Sequence, residues 1–518
     1  MKTKNIFVLG MLAVSTIGLT GCGEDFLDVT SPTSDDVNEY YTSDKHIQEA
    51  VVAAYDPLHW ADWGNGDYAP YNLISDIMSD DIYPGGATAS DMLNWQLMFN
   101  FNATPNYTLS SFWTDEYSGV KRCNDAIEYT QRALASGTSD VTQENGDSYI
   151  AQARVLRDFY YMWLWKMWGN IPYFTQNLTV ETGYKGTQLG HDDVYNNVIA
   201  DLEDVIDNYG SYLPMKASSG NEGRVTKAFA YMIYAEMVMY QNDESRYSKA
   251  LGYMQEIINS GQYALDHNFA DIWTEAGEWS SESIYEINYD DNNHLRGWSS
   301  PLAVGGTVLP RLLGPRGWEA GTAGVDNGWS FGPVRHEVYD MYSGQDTRRD
   351  VSIFNADKVA AENGKEYTAG YMNTGLFQGK YLPMSANVKD AGWDQDLNFN
   401  NNYRVYRFSE VLLNAAELLL RTGGDNAKAL YYVNLVRERA GIADLSNVSI
   451  DAIINERHLE FLGEGKRYWD LVRTGKAATT LVPDAEGNRT NSWTENKKYL
   501  PIPQSEMTAD NNLTQNDY

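Results

Sequence analysis

Residues 404–421 read RVYRFSEVLLNAAELLLR. Val405, Phe408, Leu412, Ala415 and Leu419 recur at spacings of three and four, which collects them on one face of a helix. The stretch has a counterpart earlier in the chain. Between Val225 and Tyr240, the residues Val225, Ala228, Met232, Ala235 and Met239 keep the same spacing. Ala235-Glu236-Met237-Val238-Met239 matches Ala416-Glu417-Leu418-Leu419-Leu420. After a loop, which is shorter in the second copy, Lys249-Ala250-Leu251-Gly252-Tyr253-Met254 matches Lys428-Ala429-Leu430-Tyr431-Tyr432-Val433. Each copy predicts a helical hairpin whose small alanines let two helices approach closely. Repeated hairpins of this kind predict a tetratricopeptide-like stack.

The same periodicity predicts helices over 147–168, 194–209, 248–260, 427–440 and 450–461. Between them, residues 59–112, 262–345 and 350–402 are rich in Gly, Asn, Asp, Trp and Tyr and lack a helical pattern. Loops of such length in a compact protein are usually functional. The expected fold class is mostly α: a helical-hairpin scaffold carrying long irregular insertions. An N-terminal part of about 22–261 is expected to precede a loop-rich and C-terminal part of about 262–518.

The N-terminus reads differently. Lys2 and Lys4 precede an apolar run from Ile6 to Leu19. That run is too short to span a bilayer, which takes ~20 apolar residues, and it fits a secretory signal over 1–21. Leu19-Thr20-Gly21-Cys22 looks like a bacterial lipobox, in which Cys22 is lipidated and becomes the new N-terminus. Acyl chains there would hold the protein at a membrane while the rest stays in water. Gly23-Glu24-Asp25 resembles the acidic signal that sends some bacterial lipoproteins to the cell surface. The chain has 2 Cys in all, so Cys123 is left without a disulfide partner and is expected to be a small buried residue.

The formal charge of −32 repels phosphate backbones and argues against nucleic acid as a partner. Aromatic content is high, with 37 Tyr, 15 Trp and 15 Phe. Tyr160, Tyr161, Trp163, Trp165 and Trp168 fall in a helical pattern and are expected in the core, as is Trp469.

With these segments in view, the chain resembles the SusD/RagB family of outer-membrane nutrient-binding lipoproteins, from the lipobox to the last residues. Asp25-Phe26-Leu27-Asp28 follows the cysteine as in that family. Arg154-Val155-Leu156-Arg157-Asp158-Phe159-Tyr160-Tyr161 and Trp168-Gly169-Asn170-Ile171-Pro172-Tyr173 are similar to one family region. Arg404 to Leu420 and Asn434-Leu435-Val436-Arg437-Glu438-Arg439-Ala440-Gly441 match two more. Glu456-Arg457, Glu460-Phe461, Glu464-Gly465, Arg467, Asp470-Leu471 and Arg473 match another, and Leu500-Pro501-Ile502-Pro503 with Gln515-Asn516 match the C-terminus. These residues read as scaffold. Glu456, Glu460 and Glu464 with Arg457 can pair along a helix, and Arg437 and Arg439 can meet the carboxylates.

Metal-site and phosphate-binding signatures are absent from the sequence. None of the 7 His lies four residues from another, and there is no HExxH and no phosphate-binding loop. The nearest oxygen-rich run, Asp76-Ile77-Met78-Ser79-Asp80-Asp81, lacks the spacing of a calcium loop. No cofactor is therefore expected, with that run the one place left for a bound Ca²⁺. A glycosidase needs only two carboxylates, and the resemblance argues against one.

A sugar ring has an apolar C–H face that indole and phenol rings can cover, and a rim of hydroxyls for polar side chains. Trp60, Trp63, Tyr68, Tyr71 and Tyr83 share one Gly/Asp-rich stretch with Asp62, Asn65 and Asp67. Trp273, Trp279, Trp298, Trp318 and Trp329 share another with Asn292, Asn293, Arg296 and Asp326. The expected glycan contacts are Trp60, Trp63, Asp67, Tyr68, Tyr71, Trp273, Arg296, Trp298, Trp318 and Trp329. A loop tryptophan more often plugs a local core than carries a ligand. Neighbouring glycines favour exposure at Trp63, Trp298, Trp318 and Trp329, because glycine permits an exposed turn.

The resemblance implies a non-enzymatic lipoprotein at the outer-membrane cell surface, anchored at Cys22. It would capture an oligo- or polysaccharide and deliver it to a SusC-like TonB-dependent barrel. The alternatives are a structural lid or interaction protein of the transporter with non-sugar cargo, and an enzyme with catalytic carboxylates in its loops.

Overall fold

The computed structural model describes residues 37–64, 66–292 and 296–518, so the expected signal segment and Cys22 lie outside the described residues. The scaffold is a run of long helices: α1 (Asp44–Tyr55), α2 (Ser110–Ser136), α3 (Gln143–Trp168), α4 (His191–Asp204), α5 (Lys227–Gln241), α6 (Tyr247–Asn259), α7 (Phe408–Arg421), α8 (Asn426–Arg439), α9 (Ile450–Glu460) and α10 (Arg467–Arg473). Successive helices pack as neighbours from α2 to α6. The two hairpins that match in sequence, α5/α6 and α7/α8, stack because α6 packs on α7. Their starts are set locally. Thr226 caps α5 through the Phe229 amide at 3.1 Å, and Asp425 caps α8 through Ala427 and Lys428, satisfying amides that have no partner within the helix. The main core draws side chains from Ala54 to Leu513, including the aromatic face of α3 and Trp469. Cys123 is buried in it, and burial pushes its thiol well above the ordinary range.

Residues 404–407 depart from the helical reading. Tyr403–Arg407 is a strand, antiparallel to Ser283–Ile287, and the helix begins only at Phe408. All five strand residues are buried, and aromatic and β-branched side chains suit such a position. The three-residue gap from Val405 to Phe408 fitted a helix by coincidence. Two further strand pairs, Ile171–Tyr173 with Thr187–Leu189 and Ile353–Asn355 with Leu376–Gln378, are shorter still.

The strand delivers Arg407 into a buried ionic lattice. Its guanidinium meets Glu464 at 2.7 Å, Glu460 at 3.0 Å and Glu282. Glu460 also meets Arg348 and Arg439, while Glu456 meets Arg348 and Arg437 at 2.6 and 2.7 Å. The arginines of α8 thus reach the acids of α9, as their sequence motifs suggested. Arg457 does not pair along its own helix. It turns to Asp470, Glu410 and Asn414. Buried charges persist only when paired, and here each is shared among several partners across α7, α8, α9 and α10.

This lattice predicts an acid sensitivity. Burial alone would raise the Asp470 carboxyl, but Arg457 and Arg473 hold it down at about 2, against an ordinary 3.8. Arginines likewise hold Glu460 and Glu464 low. A depressed carboxylate contributes stability that is complete above its unfolded value and is lost as pH falls toward its folded one. Asp470→Asn should therefore destabilise the protein strongly at pH 7. The gap to the unsubstituted protein should narrow by about 2 kcal/mol as pH falls through the 4-to-2 window. Urea unfolding across pH measures it, and a gap that does not change with pH contradicts the pairing.

Candidate functional site

Beside the helical stack, two stretches of chain, 62–63 and 296–308, meet at a buried ion pair. Asp62 ends a 3-10 turn, Asp56–Asp62, and Arg296 comes from a loop far along the chain. Asp62 Oδ1 accepts from Arg296 Nη2 at 2.6 Å and Oδ2 from Nη1 at 3.1 Å. The same carboxylate accepts from the Trp63 amide, the Thr307 hydroxyl and the Val308 amide at 2.7–2.8 Å. Arg296 donates to the carbonyls of Trp63, Pro301 and Gly306. The pair thus holds the Trp63 backbone from both sides, and both ions are saturated with partners, which a buried pair requires.

Around this pair the structure gathers four aromatic rings. Trp63 lies edge-on to Trp298 with ring centroids 4.9 Å apart, and Trp298 stacks on Trp329 at 6.2 Å. Tyr68 closes the group, 5.8 Å from Trp329 and 6.2 Å from Trp63. Trp298 is 42% exposed, and the other three are half-buried. Each ring has a fixed base. The Trp329 amide donates to the Arg311 carbonyl at 2.8 Å, and its carbonyl accepts from Arg316 at 3.0 Å. The Trp298 amide donates to Asp394 at 3.3 Å. Gly297 and Gly328 permit this assembly. A Cβ on Gly297 would fall 2.6 Å from Asp394 Oδ2, and one on Gly328 would fall 2.2 Å from the Gly314 backbone. Glycine here allows close approach of neighbouring chain.

Acidic and hydroxyl groups surround the rings. Partial burial and the charges of Asp396, Asp62 and Asp91 push the Tyr68 phenol up to about 12. Asp67 is half-buried beside Ser111, and its burial raises the carboxyl. Asp396 is held by Arg311 at 2.7 Å.

The remaining expected contacts sit elsewhere. Trp60 is buried, with the Arg122 guanidinium 4.6 Å over its ring. Tyr71 is buried among Phe112, Trp163 and Tyr403 and donates to Glu116. Trp273 is buried under Lys380 and Arg407 of the ionic lattice. Trp318 fills a satellite core with Phe354 and Tyr367. These four rings face inward, which corrects the expectation that they line an open surface. Each is packed against other rings or cations: Trp60 on Arg122, Tyr71 and Trp273 in the main core, and Trp318 in the satellite core. Arg296 is also corrected, from ligand contact to strut. Asp76 and Asp81 are likewise turned inward and Asp80 half so: Asp80 is bidentate to Arg467 at 2.8 and 2.9 Å, Asp81 pairs with His458, and Asp76 accepts from the Gly465 amide.

An exposed ring beside this cluster's support was missed. Trp393, 60% exposed, precedes the Asp394 that holds Trp298. Its neighbour Gly392 was the available signal, the same adjacency that singled out Trp63, Trp298 and Trp329.

Comparison with known proteins now identifies the family. The profile described as "SusD family" matches residues 164–518, and one described as "Starch-binding associating with outer membrane" matches residues 25–238. The chain is 52% identical to surface glycan-binding protein A from Bacteroides thetaiotaomicron, solved in complex with laminarihexaose; the match covers 92% of this chain and 100% of that one, with a TM-score of 0.86. The surface glycan-binding protein A from Bacteroides uniformis is 49% identical over 91% of this chain and 99% of its own, with a TM-score of 0.81. Starch-binding protein SusD of Bacteroides thetaiotaomicron is 26% identical, over 71% of this chain and 72% of that protein. The chain belongs to the SusD family.

The strut role of Arg296 is testable. Arg296→Met strands the Asp62 carboxylate in the interior, and breaking a buried pair in this way costs about 3–5 kcal/mol. Guanidinium unfolding should show that loss, together with altered near-ultraviolet dichroism as Trp63 and Trp298 separate. A variant with wild-type stability and spectrum contradicts the strut.

Proposed function

We propose that this protein is a cell-surface glycan-binding lipoprotein. It holds a laminarin-type glucan on Trp63, Tyr68, Trp298 and Trp329 and passes it to a SusC-like TonB-dependent outer-membrane barrel. The observation that carries the reading is the convergence of the four rings, from three separate stretches of chain, beside one buried ion pair. Covering the C–H faces of successive sugar rings needs flat surfaces with fixed mutual angles, and the Asp62–Arg296 pair fixes them before ligand arrives. Pre-organisation of this kind lowers the entropic cost of binding.

The class of ligand follows from charge and from likeness. Asp91, Asp394 and Asp396 lie near the rings on a chain of net charge −32. That field opposes sulfated or carboxylated glycans and admits neutral ones. The 52% identical relative is solved with laminarihexaose, which supports a laminarin-type glucan over other neutral chains. Binding without bond cleavage fits the relatives, which are described as glycan-binding proteins. Delivery to a barrel, lipidation at Cys22 and residence at the outer membrane rest on the family, one of whose profiles is described as associating with that membrane.

Calorimetric titration of the purified protein with laminarihexaose and with maltohexaose tests the reading. Laminarihexaose should bind more tightly. Trp298→Ala should weaken it roughly tenfold or more, about 1.4 kcal/mol, while the protein still unfolds cooperatively with a small fall in Tm. Binding of neither sugar contradicts the function, and full affinity in Trp298→Ala contradicts the site.

A further inference from the structure

The loop Ala391–Asn398 projects an exposed indole next to the aromatic cluster, yet it is strapped down along its length. Asp394 takes left-handed backbone angles, φ 44° and ψ 46°, a conformation that costs a non-glycine residue free energy and that Asp tolerates better than most. Its carboxylate accepts from the Trp298 amide, while its carbonyl accepts from Leu397 N at 2.9 Å and Asn398 Nδ2 at 3.0 Å. Asn398 also donates to the Arg296 carbonyl at 3.0 Å and accepts from Gly306 N at 3.1 Å. Asp396 is anchored by Arg311, whose guanidinium lies 5.2 Å over the Phe399 ring. The loop is thus tied to the same frame as the four central rings.

Trp393 is the residue this loop presents. Chain geometry places its Cα within roughly 10 Å of the Trp298 amide, one residue step and one aspartate side chain away. Its burial differs from that of every ring in the central group. Trp298 is 42% exposed and rests on Trp63 and Trp329, whereas Trp393 is 60% exposed. An indole so exposed gives up hydrophobic burial, and a strained, strapped loop holds it there.

We propose that Trp393 forms an outer subsite that engages a glycan only when the chain is long enough to extend past the Trp63, Tyr68, Trp298 and Trp329 platform. The inference rests on the glycan-binding reading of that platform and adds a length dependence to it. The central rings hold a short oligosaccharide, and Trp393 covers a further sugar ring toward the end of a longer one. The protein therefore prefers polymer fragments to short products, with Trp393 as the residue that sets the preference.

The test compares laminaritriose and laminarihexaose by calorimetry on the whole secreted chain, in the unsubstituted protein and in Trp393→Ala, Trp393→Tyr and Trp298→Ala. Trp393→Ala should weaken hexaose binding about fivefold or more while leaving triose binding unchanged. Trp393→Tyr, which keeps a flat ring, should recover most of the loss. Trp298→Ala should weaken both ligands. Thermal unfolding of Trp393→Ala should match the unsubstituted protein, since the ring is mostly in solvent. Equal loss on both ligands, or no loss on either, overturns the outer subsite while leaving the platform intact. Failure of the unsubstituted protein to bind either sugar instead removes the glycan reading beneath it.

Discussion

Arg296 carries its charge into the interior only because Asp62 meets it there, and the open surface of the molecule depends on that meeting. The two residues are separated by more than two hundred positions, and neither touches solvent appreciably. Together they tie Trp63 to the stretch from Arg296 to Val308, so these two parts of the chain cannot move independently. Long loops ordinarily explore many conformations, and ordering them at the moment of binding would consume much of the affinity. Here the ordering is completed on folding. The aromatic rings are then free to differ in exposure while keeping fixed angles to one another.

The helical stack serves the same end from below. Its hairpins pack through alanines, but the joint between α7, α8, α9 and α10 is ionic, with Arg348, Arg407 and Arg439 converging on Glu460. Such a lattice contributes little net stability compared with a well-packed apolar joint, yet breaking any member is costly. Trp273 lies under Lys380 and Arg407 from this lattice, so the loop region and the scaffold share a boundary made of charge against ring.

How much of this was legible in the sequence differed by element. The matched hairpins were legible because their alanines and leucines keep a strict helical period. Helix α2, Ser110–Ser136, was not, because Ser111, Asp115, Glu116, Asn124 and Thr130 point into the core and interrupt that period. The strand Tyr403–Arg407 was hidden by its length and by its direct passage into a helix. At the site, a glycine beside a tryptophan was a useful sign for Trp63, Trp298 and Trp329, and it stood unread beside Trp393. It misled at Trp318, where Gly317 has φ +66° and the ring enters a satellite core with Phe354 and Tyr367. Composition could supply the rings, but which of them turn outward depends on contacts between segments far apart in the chain. Arg296 and Asp62 are the clearest case, since nothing local to either residue announces its partner.

The most direct measurement is a crystal structure of the protein grown with laminarihexaose. The account predicts glucose rings stacked on Trp298 and Trp329, flanked by Trp63 and Tyr68, with the Asp62–Arg296 pair unchanged from its unliganded geometry. A sugar seated instead in the 550 Å³ cavity that Trp113, Tyr117, Phe174 and Leu513 help to line, with the four rings left bare, would contradict it.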